Sequence, residues 1–269
     1  MPEGDTIFRT AASLRRWLGG RTLTAARSAV PGLDLAGLVG ATVEAVDAHG
    51  KHLLVRCSGG RVLHTHMRMT GSWHVYPAGE RWRKSPRSAR VVLESGDRVA
   101  VCFSAPVVEL LAERDLPAHP ALGQLGPDVL VPESLDLSVV RARARTRAER
   151  SPTAGELLLD QRVVAGIGNI FRCETLFLCG VAPRRPTSAL DDATIDDLVA
   201  TAARLMQASA TGPSAARAFP EAGRRGGAAT PWVYRRAGRP CRRCGATVCR
   251  ELLGAQPRAV YWCPWCQPG

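Results

Sequence analysis

Lysine is nearly absent from this chain: of its 36 basic residues only Lys51 and Lys84 are lysine, and the other 34 are arginine. Lysine can give up its proton and arginine effectively cannot, so side-chain amine chemistry has two addresses here. Lys84 lies in Arg81-Trp82-Arg83-Lys84-Ser85-Pro86, which reads as an exposed loop. Lys51 follows His49-Gly50 and opens the apolar run His52-Leu53-Leu54-Val55, a placement suited to a functional amine. Also missing is any run of about 20 apolar residues, which excludes a membrane-spanning helix. The amino end has an early acid and no long apolar segment, which argues against a signal peptide and for a cytoplasmic protein in a reducing compartment. No internal repeat is present, so the chain is not an array of one small unit.

What is present suggests several compact units. A length of 269 residues accommodates two or three, and a hydrophobic content of 45% supplies cores. The formal charge of +12 favours a polyanionic partner, nucleic acid first, because clustered arginine neutralises phosphates. A merely solvated basic face is the plainer alternative.

The spacing of Ile7, Ala11, Leu14 and Leu18 predicts a helix over Thr6–Leu18, capped by Asp5 or Thr6 and stopped by Gly19-Gly20. Between Ala41 and Phe103 short strands are expected at 42–47, 52–57, 62–67, 73–76, 89–93 and 99–103, the pattern of a β-sandwich. Beyond Gly126-Pro127-Asp128 the character becomes helical, with helices expected over 156–165, 169–179 and 192–206. The first two flank Gly166-Ile167-Gly168 as a helix-turn-helix unit. Residues 211–238, rich in Gly, Ala and Arg, read as a mobile basic loop containing Arg224-Arg225. The fold expected is α+β and multidomain. Residues 1–125 form an N-terminal helix plus β-sandwich, 126–234 a helical domain, and 235–269 a cysteine-rich hairpin.

Cys241-Arg242-Arg243-Cys244 and Cys263-Pro264-Trp265-Cys266 are two C-x2-C pairs at the spacing of a tetrahedral four-cysteine zinc site. Four thiolates leave no open position, so one Zn2+ would be structural. Disulfides are the alternative, disfavoured in a reducing compartment. Cys57, Cys102, Cys173, Cys179 and Cys249 read as small core residues. Gly166-Ile167-Gly168-Asn169 can hold a phosphate on backbone N–H groups and an Asn amide, or be a plain turn with Asn as cap. His64 and His66 alternate on a strand and could ligate metal or simply pack. Arg68 and Met69 near the following turn could wedge between unstacked bases, or the methionine could belong to the core. The beginning Met1-Pro2-Glu3-Gly4-Asp5-Thr6 offers, once Met1 is trimmed, a secondary amine that can form an iminium with an aldehyde-like carbon, beside a carboxylate.

Taken in order, this beginning, the strand lysine, the Gly-Asn grip and the terminal cysteine module resemble the formamidopyrimidine-DNA glycosylase and endonuclease VIII family. The resemblance runs from Pro2 to Gln267. The first six residues and the ending Arg258-Ala259-Val260-Tyr261-Trp262-Cys263-Pro264-Trp265-Cys266-Gln267 look more like the endonuclease VIII branch. It implies a helix-two-turn-helix motif in the helical domain and a zinc-finger β-hairpin at the end. It also implies a monomeric, nucleoid-associated enzyme of base-excision repair that acts on DNA with oxidised bases or abasic sites. Such an enzyme would excise oxidised bases, pyrimidines in this branch, and cut the strand by β,δ-elimination in a cleft between its lobes.

Each role is carried over by position. Pro2 would attack C1′ of a flipped-out nucleotide and Glu3 would shuttle protons. Lys51 would bind phosphate and help elimination. Arg258 would grip phosphate and assist the second elimination, and Asn169 would hold a phosphate. Arg68, Met69 and Thr70 align with the segment that fills the gap left in the duplex, and Gln124 with a DNA-contacting position. Thr70 departs from the pattern, being small and polar where an aromatic can occur, so Met69 would fill the gap alone. An abasic-site lyase with little base excision and a non-catalytic zinc-containing DNA-binding protein are the competing readings.

Overall fold

Gly4–Leu18 forms the first helix, α1. Its start is two residues earlier than the periodicity suggested: Glu3, not Asp5 or Thr6, is the N-cap, with extended backbone and its carbonyl accepting from the Thr6 and Ile7 amides. Ile7, Ala11, Leu14 and Leu18 are buried on one face, as their spacing requires. The computed structural model describes residues 2–212 and 230–269, so Arg224, Arg225 and most of the expected basic loop lie outside the described residues. The chain divides into two compact units, Met1–Gln124 and Leu125–Gly269.

In the first unit eight strands build two antiparallel sheets. The strands are β1 (Ala25–Ser28), β2 (Val43–His49), β3 (His52–Cys57), β4 (Arg61–His66), β5 (Ser72–Pro77), β6 (Ala89–Ser95), β7 (Arg98–Phe103) and β8 (Val107–Ala112). One sheet runs β1-β6-β7-β5 and the other β2-β3-β4-β8. Six strands lie where they were expected, with ends shifted by at most two residues. Strands β1 and β8 were not expected: Ala25–Ser28 has four residues and none of the β-branched or aromatic types that mark strands, and β8 interrupts its apolar run with Glu109.

Leu53, Val55 and Leu63 of one sheet meet Val91, Leu93, Ala100 and Cys102 of the other, and α1 joins the same core. Each such leucine contributes about 1.5–3 kcal/mol by leaving water. Burial pushes the Cys57 thiol up to about 11 and the Cys102 thiol to about 12, so both are inert hydrophobes.

The second unit is helical with a terminal hairpin. Its helices are α2 (Leu137–Thr146), α3 (Ala154–Leu157), α4 (Asn169–Leu178) and α5 (Asp192–Thr211), followed by strands β9 (Cys249–Leu253) and β10 (Arg258–Trp262). Helix α2 was not expected; the Asp136 carboxylate caps it by accepting from Ser138 N–H and Val139 N–H. The helix expected over 156–165 is only the single turn α3. The Thr153 hydroxyl caps that turn by accepting from the Glu156 N–H and donates to the Glu156 carboxylate, and then the Asp160 carboxylate takes the Arg162 amide at 3.0 Å, diverting the backbone into turns. Val163 and Val164 donate back to the Asp160 carbonyl in that turn, and Ala165 then bridges to the 127–129 segment, accepting from Val129 and donating to Pro127, so no helix continues. Helix α5 buries Ile195, Leu198, Val199, Ala202, Leu205 and Met206 along one side, the stripe its sequence promised. Among the described residues no helix is long and apolar enough to cross a membrane.

Candidate functional site

In the first unit the amino end is built around a buried acid. Glu3 is fully buried and Asp5 nearly so, both at the start of α1, where the helix dipole favours negative charge. Pro2 precedes them and is half-buried. Lys51 is half-buried in the turn between β2 and β3, where Gly50 takes φ of 57°. A side chain at Gly50 would be strained, so a glycine there lets the strand pair close beside Lys51.

The turn after β4 sorts its side chains sharply. Met67 is buried in the core, whereas Met69 is 70% exposed. The core alternative therefore fails for Met69, and the methionine that packs inside is Met67. Arg68 has a positive φ of 43°, and its N–H donates to Nδ1 of His66 at 3.2 Å. Thr70 donates its hydroxyl to the carbonyl of Ser104 at 2.9 Å, which ties the turn to the strand end opposite. At Gly71 a Cβ would come within 2.7 Å of the Met67 Cα, so only glycine lets the turn close. Gln124 ends the short 3-10 helix Leu122–Gln124 and is exposed.

His64 is buried and engaged, not a lone packed ring. It meets His52 at 2.8 Å and Glu109 at 2.7 Å, while His119 meets the same Glu109 oxygen at 3.2 Å. Burial holds the His52 and His66 rings neutral, lowered to about 2 and about 4, and lowers His64 as well. Glu109 and His119 were not singled out in the sequence. Their separation from His64 along the chain hid them, and only the β4–β8 register, pairing His64 with Glu109, brings them together. Lys84 is also not the free loop residue expected: its Nζ donates to Ser72 Oγ at 2.8 Å.

In the second unit Asn169 is the first residue of α4, and the N-cap is Gly168. Its amide thus does not cap the helix but donates to the Ala259 carbonyl at 2.9 Å, while its oxygen accepts from Arg172. Arg172 is fully buried, and its guanidinium also reaches the carbonyls of Ala259 at 3.2 Å and Gly155 at 3.4 Å. Ala259 follows Arg258 on β10, so the helix start and the exposed Arg258 share one hydrogen-bonded frame. Glu174, also fully buried, accepts from the backbone N–H groups of Trp232, Val233 and Tyr234. Arg172 and Glu174 escaped the sequence reading, although two charges inside the apolar helix Ile170-Phe171-Arg172-Cys173-Glu174 were a visible signal.

The sulfurs of Cys241, Cys244, Cys263 and Cys266 all lie within 4.8 Å of one another. The Arg243 N–H donates to Cys241 Sγ at 3.4 Å, a bond that favours thiolate. This donor set can hold one metal ion. Cys249 lies apart from it, bonded to the Thr247 carbonyl. Cys57, Cys102 and Cys173 are core residues as expected, but Cys179 and Cys249 are only half-buried.

Comparison with known proteins agrees with this geometry. The family model for the formamidopyrimidine-DNA glycosylase N-terminal domain matches residues 1–106, and that for the formamidopyrimidine-DNA glycosylase H2TH domain matches residues 125–218. The chain is 41% identical over 272 residues to a probable endonuclease 8 2 of Streptomyces coelicolor, covering 100% of this chain and 95% of that one. It is 36% identical to the DNA-(apurinic or apyrimidinic site) lyase Nei2 of Mycolicibacterium smegmatis, covering 99% of each. Endonuclease 8 of Escherichia coli is 34% identical over 99% of this chain and 100% of its own. The fold matches the Lactococcus lactis formamidopyrimidine-DNA glycosylase crystallised with DNA containing an abasic site, with a TM-score of 0.82 at 21% identity over 100% of both chains. By domain content, full-length identity and fold, the chain belongs to the formamidopyrimidine-DNA glycosylase and endonuclease VIII family.

Proposed function

We propose that this protein is a bifunctional DNA glycosylase and abasic-site lyase that works through an iminium at Pro2. The observation that carries the reading is the fully buried Glu3 carboxylate directly after Pro2, at the start of α1. With Met1 removed, the Pro2 amine attacks C1′ of a damaged nucleotide and the base leaves. Glu3, held in place by burial, hands a proton to the opening sugar. The iminium acidifies the C2′ proton, so the strand is cut without a metal or nucleotide in the chemistry. Lys51 holds phosphate beside the reacting sugar and assists β-elimination. Asn169 and Arg258, joined through Ala259, grip the DNA backbone, and Arg258 favours the further δ-elimination. Gln124, exposed at the end of the first unit, contacts DNA.

Exposed Met69, with Arg68 and Thr70 beside it, fills the space left by the flipped nucleotide. The Thr70 hydroxyl is committed to Ser104, which supports Met69 as the wedge. Oxidised pyrimidines are the substrate class, a reading supported by full-length similarity to endonuclease 8 proteins. The four cysteines hold one structural zinc: four thiolates suit a borderline-soft ion and leave no position for substrate.

Borohydride trapping on abasic-site DNA tests the nucleophile. A covalent adduct mapped to Pro2 in the wild type, and none in Pro2→Gly, is the expected result. No adduct from folded, metal-loaded protein lacking Met1 would overturn it. A second reading, a lyase with little base excision, is favoured by the similarity to the mycobacterial abasic-site lyase. Measuring base release from an oxidised pyrimidine against scission of a preformed abasic site separates the two.

A further inference from the structure

The connection from β5 to β6 carries the run Arg81-Trp82-Arg83-Lys84-Ser85-Pro86-Arg87, with four cations and no acid in seven residues. Trp82 and Lys84 are half-buried, whereas Arg81, Arg83 and Arg87 are exposed. Arg21, Arg27 and Arg56 of this unit pair with carboxylates, but among the described residues no such pair includes Arg81, Arg83 or Arg87.

The run is pinned to the sheet beneath it. The Trp82 ring stacks on Tyr76 with centroids 6.5 Å apart and meets Phe103 edge-on at 5.8 Å, joining a small apolar cluster on β5, β6 and β7. Arg83 N–H donates to the Tyr76 hydroxyl at 3.2 Å, and Lys84 Nζ donates to Ser72 Oγ at 2.8 Å. Ser88 Oγ closes the far end on the Ser85 carbonyl at 2.7 Å. A backbone fixed in this way has little ordering entropy left to lose when it meets a ligand.

Both ends of the run are bonded to the Met69 turn. Ser72, which holds Lys84, is three residues beyond Met69, so their Cα atoms are at most about 11 Å apart. Ser104 joins the other end: its N–H donates to the Ser88 carbonyl at 2.8 Å, and its carbonyl accepts from the Thr70 hydroxyl at 2.9 Å. Arg68 and Ser104, with φ of 43° and 50°, are the non-glycine residues in the left-handed region among the described residues of this unit, and both belong to this frame. Such strain persists only where the surrounding structure imposes it, and it gathers at functional sites. Each strand of a duplex carries a phosphate about every 3.4 Å of axis, so about 11 Å is a stretch of three or so base pairs.

We propose that Arg81, Arg83 and Arg87 form a second phosphate grip, which holds the DNA backbone beside the gap that Met69 fills. The inference rests on the reading of Met69 as the wedge. Lys84 is the pin that sets the grip against the turn, and the arginines, whose planar forks suit phosphate, make the contacts. An acidic protein segment is the other ligand such a cluster could take; continuity with the wedge turn favours DNA.

For the test, Arg81→Ala, Arg83→Ala and Arg87→Ala are combined in the full-length, metal-loaded protein. Affinity for duplex DNA holding an uncleavable abasic-site analogue is measured over a range of salt. The slope of log affinity against log salt should become shallower by about 2–3, at ~0.9 per phosphate, and affinity at low salt should fall at least about tenfold. Lysine at the same three positions should keep the slope, because each charge is retained. The Met69→Ala protein should behave in the opposite way, keeping the slope but losing preference for the abasic-site duplex over an intact one. A wild-type slope and affinity in the triple alanine variant would overturn the grip and leave this face to solvent or to an acidic partner. A wild-type preference in Met69→Ala would instead overturn the wedge reading beneath it.

Discussion

Asn169 and Arg172, one turn apart on α4, donate to the same acceptor, the carbonyl oxygen of Ala259, at 2.9 and 3.2 Å. Arg172 also donates to the Asn169 oxygen, so the orientation of the amide is dictated from below by a buried cation. The helix start and β10 therefore hold a fixed register, and the side chain that faces DNA in the proposed function has one allowed pose.

Arg172→Met should cost about 1–3 kcal/mol, because the carbonyls of Ala259 and Gly155 and the Asn169 oxygen lose a buried donor. A urea melt reads that loss. Affinity for DNA carrying an uncleavable abasic-site analogue should fall alongside, and Arg172→Lys should recover only part of either, because an ammonium lacks the planar fork.

Arg258→Ala should weaken DNA binding while leaving the unfolding midpoint nearly unchanged, since the residue is exposed at the start of β10. The slope of log affinity against log salt should become shallower by about 1. An unchanged slope would remove Arg258 from the phosphate contacts.

Removing metal should loosen the cysteine hairpin, because four thiolates gathered within 4.8 Å repel one another once no cation lies between them, and only the apolar cluster around Val248, Leu253 and Val260 is left to hold the strands. Elemental analysis should give one zinc per chain for the wild type and for Cys249→Ser. Cys263→Ser should lose it.

Stability should decline as the pH falls below about 6.5, where an unfolded histidine takes up its proton. In the folded chain burial and neighbouring charges hold His66 to about 4 and His52 to about 2. The unfolded chain therefore binds more protons across this range, and acid draws the equilibrium towards it. Stability present above pH ~6.5 is progressively lost towards pH 4. His66→Asn, whose side-chain oxygen can still accept the Arg68 amide, should flatten the decline in melts at stepped pH.

The parts of the molecule that were legible in the sequence are those governed by local pattern. The face of α1 follows from apolar residues at helical spacing, and β3 was placed to the residue because Gly50 and Gly59 bound an apolar run. The cysteine cluster follows from two short spacings. What escaped depends on contacts between distant segments. The turn centred on Asp160 overrode the helical appearance of 156–165 by taking bonds from Arg147 and Ser151 as well as Arg162. Glu109 carries no signal of its own along the chain, and only the β4–β8 register brings it against His64. Buried Arg172 and Glu174 satisfy carbonyls and amides 60 or more residues away or supplied by other segments, which no window along the chain reveals.

The scarcity of lysine has a practical chemical side. An amine-directed acylating reagent meets only two side-chain targets on this protein, together with the terminal amine. Lys84 is engaged by the Ser72 hydroxyl and stands in a different sheet connection from Lys51. Intact-mass counting of acyl groups, with and without DNA present, would thus map occupancy of the Lys51 turn against a background almost free of competing amines.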